Sequence, residues 1–167
     1  DKVEHHDLIR RHRFVQTYRY RHGHYDAEER EFRGFGYVET RDAESIDDHR
    51  GQGDLPTGTV LNGERYLPPV VTKSWYHTGA FETADRQYAA YEAEWYDDAS
   101  IPRLSRPAVE RSGELGMTLA HTQLSPVEHH QAARALAGQL LRQEIYAEDG
   151  SAEQDRPYAI TQHTQRV

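Results

Sequence analysis

Cysteine is absent from this sequence of 167 residues, which rules out a disulfide framework and any thiolate metal site. Leu, Ile, Val and Phe together fall below the roughly 20% that separates most folded chains from disordered ones, and mean hydropathy is −0.96. No apolar run approaches the roughly 20 residues of a membrane-spanning helix, and no leader with a basic start and an apolar middle opens the chain. Positive charge is short as well: 20 Lys and Arg stand against 28 Asp and Glu, for a net charge of −8 and a pI of 5.7. That argues against nucleic acid as a partner, because such affinity rests on neutralised phosphates. The short basic runs Arg10 to Arg13 and Arg19 to Arg21 read as solvated strand faces. What the chain does have is tyrosine. Eleven Tyr and two Trp set it apart from disordered sequences, which are poor in aromatics. Either tyrosine replaces aliphatic side chains in a strand-rich core, or the segment packs against sequence beyond its own ends. Both readings hold together.

The densest aromatic stretch runs from Tyr18 to Glu39. Alternation puts Tyr18, Tyr20 and His22 on one strand face and Arg19 and Arg21 on the other. Asp26 to Glu29 breaks the pattern. A second strand, Phe32 to Thr40, resumes it with Phe35 and Tyr37 on one side and Phe32 and Val38 on the other. Gly23 marks a bulge or bend, and Gly34 and Gly36, two apart, leave room for a ring or backbone to come close. Upstream, Val3 to His6 pairs with the arm His12 to His22 through the connection Asp7 to Arg11.

Downstream, Arg41 to Arg65 reads as a long loop with a short strand at Thr59 to Leu61, closed by Pro68-Pro69. Val70 to Thr78 is a strand apolar on both faces, which implies burial on both. The period then changes. Tyr88, Tyr91 and Trp95 form one helical stripe within Thr83 to Asp98, with Asp85 at the end that favours negative charge. Ser100 to Thr122, rich in Pro and Gly, reads as a loop. Ser125-Pro126-Val127-Glu128 is a capping box with proline at the first helical position, and its helix is expected to reach Gly138 or Leu141. Arg142 to Ala147 is a strand, Glu148 to Asp155 a polar turn, and Pro157 to Gln165 the returning strand. The fold class is mainly β with helical insertions (α+β): long antiparallel Tyr-rich strands and about two helices.

Few residues suggest chemistry. His22, His24 and Asp26 share a strand and could hold zinc; the plainer reading has them packing along the Tyr ladder. Glu92-x-Glu94 superficially resembles the paired glutamates of ADP-ribosyltransferases, but it lies in a helical stripe rather than a loop before a strand. There is no Gly-x-Ser-x-Gly elbow. Trp75 and Trp95 could form a sugar platform, though such stripes are more often core. Neither a catalytic residue nor a cofactor is expected.

Four runs in fixed order resemble the middle-to-C-terminal region of the B component of insecticidal Tc toxins (TcdB/TcaC-like, grouped with SpvB-type proteins). They are Tyr18 to Glu39, Leu67 to Phe81, Ala133 to Tyr146 and Asp149 to His163, over a third of the chain. The positions that carry the pattern are Tyr18, Tyr20, Phe32, Gly34, Phe35, Gly36, Pro69, Trp75, Leu141, Arg142 and Tyr146. The resemblance implies a structural role. In that family the B component joins a cargo-bearing, Rhs-type C component in a hollow β-walled shell, and a propeller elsewhere in B docks the shell on the A component. Residues 1–167 would then be a single piece of wall in a secreted complex, cut at both ends, with no direct membrane insertion. The match fades over residues 41–65 and 100–122. The alternatives are a carbohydrate- or protein-binding β-module and a metal-dependent enzyme.

Overall fold

The computed structural model describes residues 1–7, 12–42, 68–106 and 125–165. The short strand expected at Thr59 to Leu61, most of the two expected loops and most of the first connection lie outside the described residues.

Among the described residues six strands form one sheet in chain order: β1 (Lys2–Asp7), β2 (His12–Asp26), β3 (Glu31–Asp42), β4 (Val70–Tyr76), β5 (Leu140–Ala147) and β6 (Ala159–Gln162). Every neighbouring pair is antiparallel. Among the described residues two helices interrupt the order between β4 and β5: α1 (Ala84–Glu94) and α2 (Pro126–Ala135). The fold is therefore mainly β with helical insertions.

The core lies on the face that α1 covers. Cross-strand pairing aligns Tyr37 with Trp75, and Trp75 with Arg142. Tyr91 of α1 closes over them, and Trp75 and Tyr91 are both 0% exposed. Leu141 completes the cluster, with Tyr88 and Trp95 packed against it. The helical stripe read from the sequence is the face that docks. The rings meet at an angle, with centroids 5.3 Å apart for Tyr37–Trp75 and 6.4 Å for Trp75–Trp95, the tilted geometry that aromatic quadrupoles favour.

One expectation about β2 and β3 holds and one changes. The bulge or bend expected at Gly23 is a register shift between Gly23 and Tyr25, with the extra residue on β3. Gly23 pairs with Phe35 and Tyr25 with Phe32, so Arg33 and Gly34 together oppose His24. Gly34 has φ +97°, a conformation that suits glycine and strains other residues. No atom lies near its missing side chain, so it serves the bend and not a close approach. His22 also has positive φ, at 56°. These two departures reset the alternation. Phe35 leaves the side of Tyr37 to lie 5.1 Å from the Tyr20 ring and 5.2 Å from Phe32, while His22 leaves Tyr18 and Tyr20 to meet Tyr91 edge-on.

The second helix is shorter than its apolar spacing implied. It stops at Ala135 with Leu136 as C-cap, and Leu140 and Leu141 belong to β5. Two backbone bonds explain the stop. Gly138, at φ +80°, donates its N–H to the His77 carbonyl, and His77 donates to the Gln139 carbonyl, so the end of β4 captures the chain. The capping box is present: Ser125 Oγ accepts from the Glu128 N–H, and Glu128 accepts from the Ser125 N–H at 2.8 Å. Because α2 buries no residue, Ser125→Ala is expected to cost about 1 kcal/mol locally. Amide exchange in α2 should quicken while β4 and β5 stay unchanged.

Candidate functional site

The covered face of β5 carries charge in the middle of the sheet. Arg142, Glu144 and Tyr146 alternate along the strand and so point the same way. They are 1%, 0% and 7% exposed. Each polar group on Glu144 is matched. Arg142 Nε donates to Oε1 at 2.7 Å, the Tyr96 N–H donates to the same oxygen at 2.9 Å, and the Tyr146 hydroxyl donates to Oε2 at 2.6 Å. Arg142 also donates to the Tyr96 carbonyl and lies 4.8 Å from the Trp95 ring centroid. Burial, then the bond to Glu144, pushes the Tyr146 hydroxyl far up, so it stays a donor. Tyr37 is pushed up in the same way by burial and by its bond to Glu39.

A second hub fixes α1 to the sheet. Glu94 accepts from Trp75 Nε1 at 3.3 Å and from Arg21 at 2.9 Å, and meets His22 Nε2 at 2.9 Å. Three side chains from β2 and β4 thus converge on one carboxylate of α1. Glu92 turns the other way and takes two bonds from Arg106. The glutamate pair that resembled a transferase signature is divided between two structural jobs.

At the end of β4, His77 is 2% exposed and meets the Tyr88 hydroxyl and the side-chain Oε1 of Gln165, each at 2.9 Å. A neutral ring fits both, accepting from Tyr88 and donating to Gln165. Burial lowers its pKa from 6.5. The folded value lies below the unfolded one, so this contribution is complete above pH 6.5 and is lost as pH falls. The unfolding free energy from urea titrations should drop between pH 7.5 and 5.5, by no more than about 1.4 kcal/mol per pH unit from this one group. The drop should be smaller in His77→Gln.

The candidate metal trio is not brought together. His22 goes to α1. Asp26 closes the hairpin tip, accepting the N–H groups of Glu28 and Glu29, Arg33 at 3.2 Å and His130 of α2 at 3.3 Å. These donors hold its carboxyl below the usual range, the Glu29 N–H most of all. Among the described residues no three His, Asp or Glu could share an ion.

The remaining motif positions divide cleanly. Trp75, Leu141, Arg142 and Tyr146 are core. Pro69 is buried and its carbonyl receives the Glu148 N–H at 2.8 Å. Gly36 lies under the Tyr91 hydroxyl. Tyr18, Tyr20, Phe35 and Phe32 instead form a continuous row of rings on the other face, with successive centroids 6.4, 5.1 and 5.2 Å apart. Tyr20, Phe35 and Phe32 are exposed. Sequence reasoning missed Glu144 and His77, and singled out Glu94 only as half of a transferase-like pair. The Arg-x-Glu-x-Tyr alternation of β5 was the available signal for the first.

The described residues form a sheet segment stabilised by aromatic and charged side chains beneath α1. Residues 2–79 match the family described as the insecticide toxin TcdB middle/N-terminal region, and residues 131–167 match the TcdB middle/C-terminal region. The chain belongs to this TcdB family of Tc toxin B components and spans parts of both middle regions. The crystal structure of TcdB2-TccC3 aligns with 99% of the chain at 32% identity and a TM-score of 0.77. The same values hold for TcdB2-TccC3-Cdc42. A Tc holotoxin pore from Photorhabdus luminescens aligns with 92% of the chain at 31% identity and a TM-score of 0.68. The chain spans only 6–7% of the length of these relatives. None of the curated proteins matches it. No helix among the described residues is long and apolar enough to cross a membrane.

Proposed function

We propose that this chain is a non-catalytic piece of the wall of a β-shell in a secreted bacterial toxin complex. The shell encloses the cytotoxic part of a C component. The direct partner is that C component, and the A component is reached through parts of the parent protein outside this chain.

The observation that carries this reading is a sheet without closure. Six strands follow in chain order, and among the described residues β1 and β6 have one neighbour each. Open edges with unpaired backbone groups are a hazard in a free-standing domain and the means of continuation in a wall. The strength of the sheet lies in its centre, where matched charges and tilted rings lock β3, β4 and β5 beneath α1. The sugar-platform alternative meets an obstacle in Trp75, which is fully buried.

Amide exchange tests the open edges. In the parent protein assembled with its C partner, the β6 amides that point away from β5 should be protected. In the 167-residue chain alone they should exchange freely. Equal exchange in both settings would mean that nothing pairs with this edge, and the wall reading would fail.

A further inference from the structure

Helix α2 is loosely seated on the fold. None of its residues is buried. A cleft of about 500 Å³ separates its first turns from the β2–β3 hairpin tip, and a second of about 260 Å³ lies between α1 and α2. Phe81 and Gly79 line both clefts, so Phe81 divides one groove rather than two unrelated hollows. Gly79 keeps the groove floor thin. It has φ +75°, and a Cβ there would come within 3.3 Å of the Ala133 carbonyl and the Ala137 methyl.

The groove has apolar walls and an acidic rim. Tyr25, Phe81 and Val127 are 60%, 37% and 69% exposed around the larger cleft, while Ala84, Ala133 and Leu136 line the smaller. On the rim, the Glu28 side chain is 81% exposed and the Asp85 side chain 97%. Glu82 is exposed and has no ion pair among the described residues. Asp26, Glu28, Glu29, Glu82 and Asp85 line the two clefts and no Lys or Arg does. Nearby, Arg134 pairs with Glu29, Arg106 with Glu92 and Asp85, and Arg33 with Asp26 and Glu31, while Arg30 and Arg86 are exposed. His130 meets Asp26 and Glu28. The rim therefore carries net negative charge beside exposed apolar side chains, and it complements a basic segment with a hydrophobic anchor.

We propose that this groove docks a segment of the partner polypeptide that carries Lys or Arg beside a Leu or aromatic residue. The apolar side chain lies against Phe81, and the cation meets Glu28 and Glu82. The origin of the segment in the co-assembled chain rests on the wall reading above.

Photocrosslinking tests it. p-Benzoylphenylalanine replaces Val127 in the parent chain, which is assembled with its C partner, irradiated and analysed by mass spectrometry. The expected product joins position 127 to a partner peptide with Lys or Arg within a few residues of a Leu or aromatic side chain. The surface pair Glu28→Lys and Glu82→Lys should lower its yield severalfold, and the same label at Tyr158 should not capture that peptide. Crosslinks confined to residues 107–124 of the same chain, to a second copy or to an acidic segment would overturn the proposal, as would no crosslink at all. Protease digestion of the same sample separates the two ideas. A protected cargo without the crosslink removes the groove alone, whereas a digested cargo removes the wall reading as well.

Discussion

Glu144→Leu is expected to destabilise the chain by about 3–5 kcal/mol, the range for breaking a buried ion pair. The loss comes from what stays behind. Arg142, 1% exposed, keeps its charge without its carboxylate. The Tyr146 hydroxyl and the Tyr96 N–H lose their acceptor, and an unsatisfied buried donor costs about 1–3 kcal/mol in itself. A whole domain has only about 5–15 kcal/mol to lose, so the single variant stands near the limit of folding. The double variant Arg142→Met with Glu144→Leu removes both charges and restores apolar packing against Trp95. It should be clearly more stable than Glu144→Leu alone, because a buried pair contributes little net stability over well-packed apolar residues. Urea midpoints followed by tryptophan fluorescence compare the two. If the double variant is no better than the single, Arg142 and Glu144 are not energetically coupled as their geometry implies.

Gly36→Ala should be the next most damaging change, although it adds one methyl group. A Cβ at Gly36 would fall 1.7 Å from the Tyr91 hydroxyl oxygen and 2.7 Å from Cζ, so ring and methyl cannot both stay. Tyr91 is the fully buried residue of α1 and its hydroxyl reaches the Tyr76 carbonyl at 3.3 Å. Moving it lifts the helix from Trp75 and Tyr37. Overpacking of this kind costs about 1–3 kcal/mol, occasionally more. Tyr91→Leu shortens the side chain and frees the space, so Gly36→Ala should cost markedly less in that background. A double-mutant cycle by urea denaturation measures the difference. Equal costs in both backgrounds would show that Gly36 matters for its backbone and not for the ring above it.

Elements with a strong local signal were legible from the sequence. The Tyr88, Tyr91, Trp95 spacing gave α1 and its docking face. Ser125 to Glu128 located the start of α2. The alternation of β-formers gave all six described strands to within a few residues. The misses share one cause: tertiary partners decided what local pattern left open. Leu140 and Leu141 fit a helical stripe as well as a strand, and β4 captured the chain at Gly138 and Gln139. Phe35 had the parity of Tyr37 in a plain strand, yet its ring meets Tyr20 and Phe32 where His22 and Gly34 take positive φ. Glu144 looked like any other carboxylate in an acidic chain, because its burial depends on α1 and on the Tyr96 N–H, which lie outside its own strand. The candidate site was readable where family motif and core coincide, at Trp75, Leu141, Arg142 and Tyr146. Glu94 and His77 were not readable, since their partners lie on other elements.

The central claim is that this segment is wall. Protease protection of the cargo tests it most directly. The parent chain is assembled with its C partner, digested, and the survival of the C-terminal cargo is followed. The comparison is with Tyr18→Asp, Tyr20→Asp and Phe35→Asp combined, because these rings lie outside the core formed by Tyr37, Trp75, Tyr91 and Leu141. Loss of protection there reports on the assembly and not on local folding. The expected result is a protected cargo in the wild type and a leaking or unassembled shell in the variant. Unchanged protection in the variant would place the segment outside the wall.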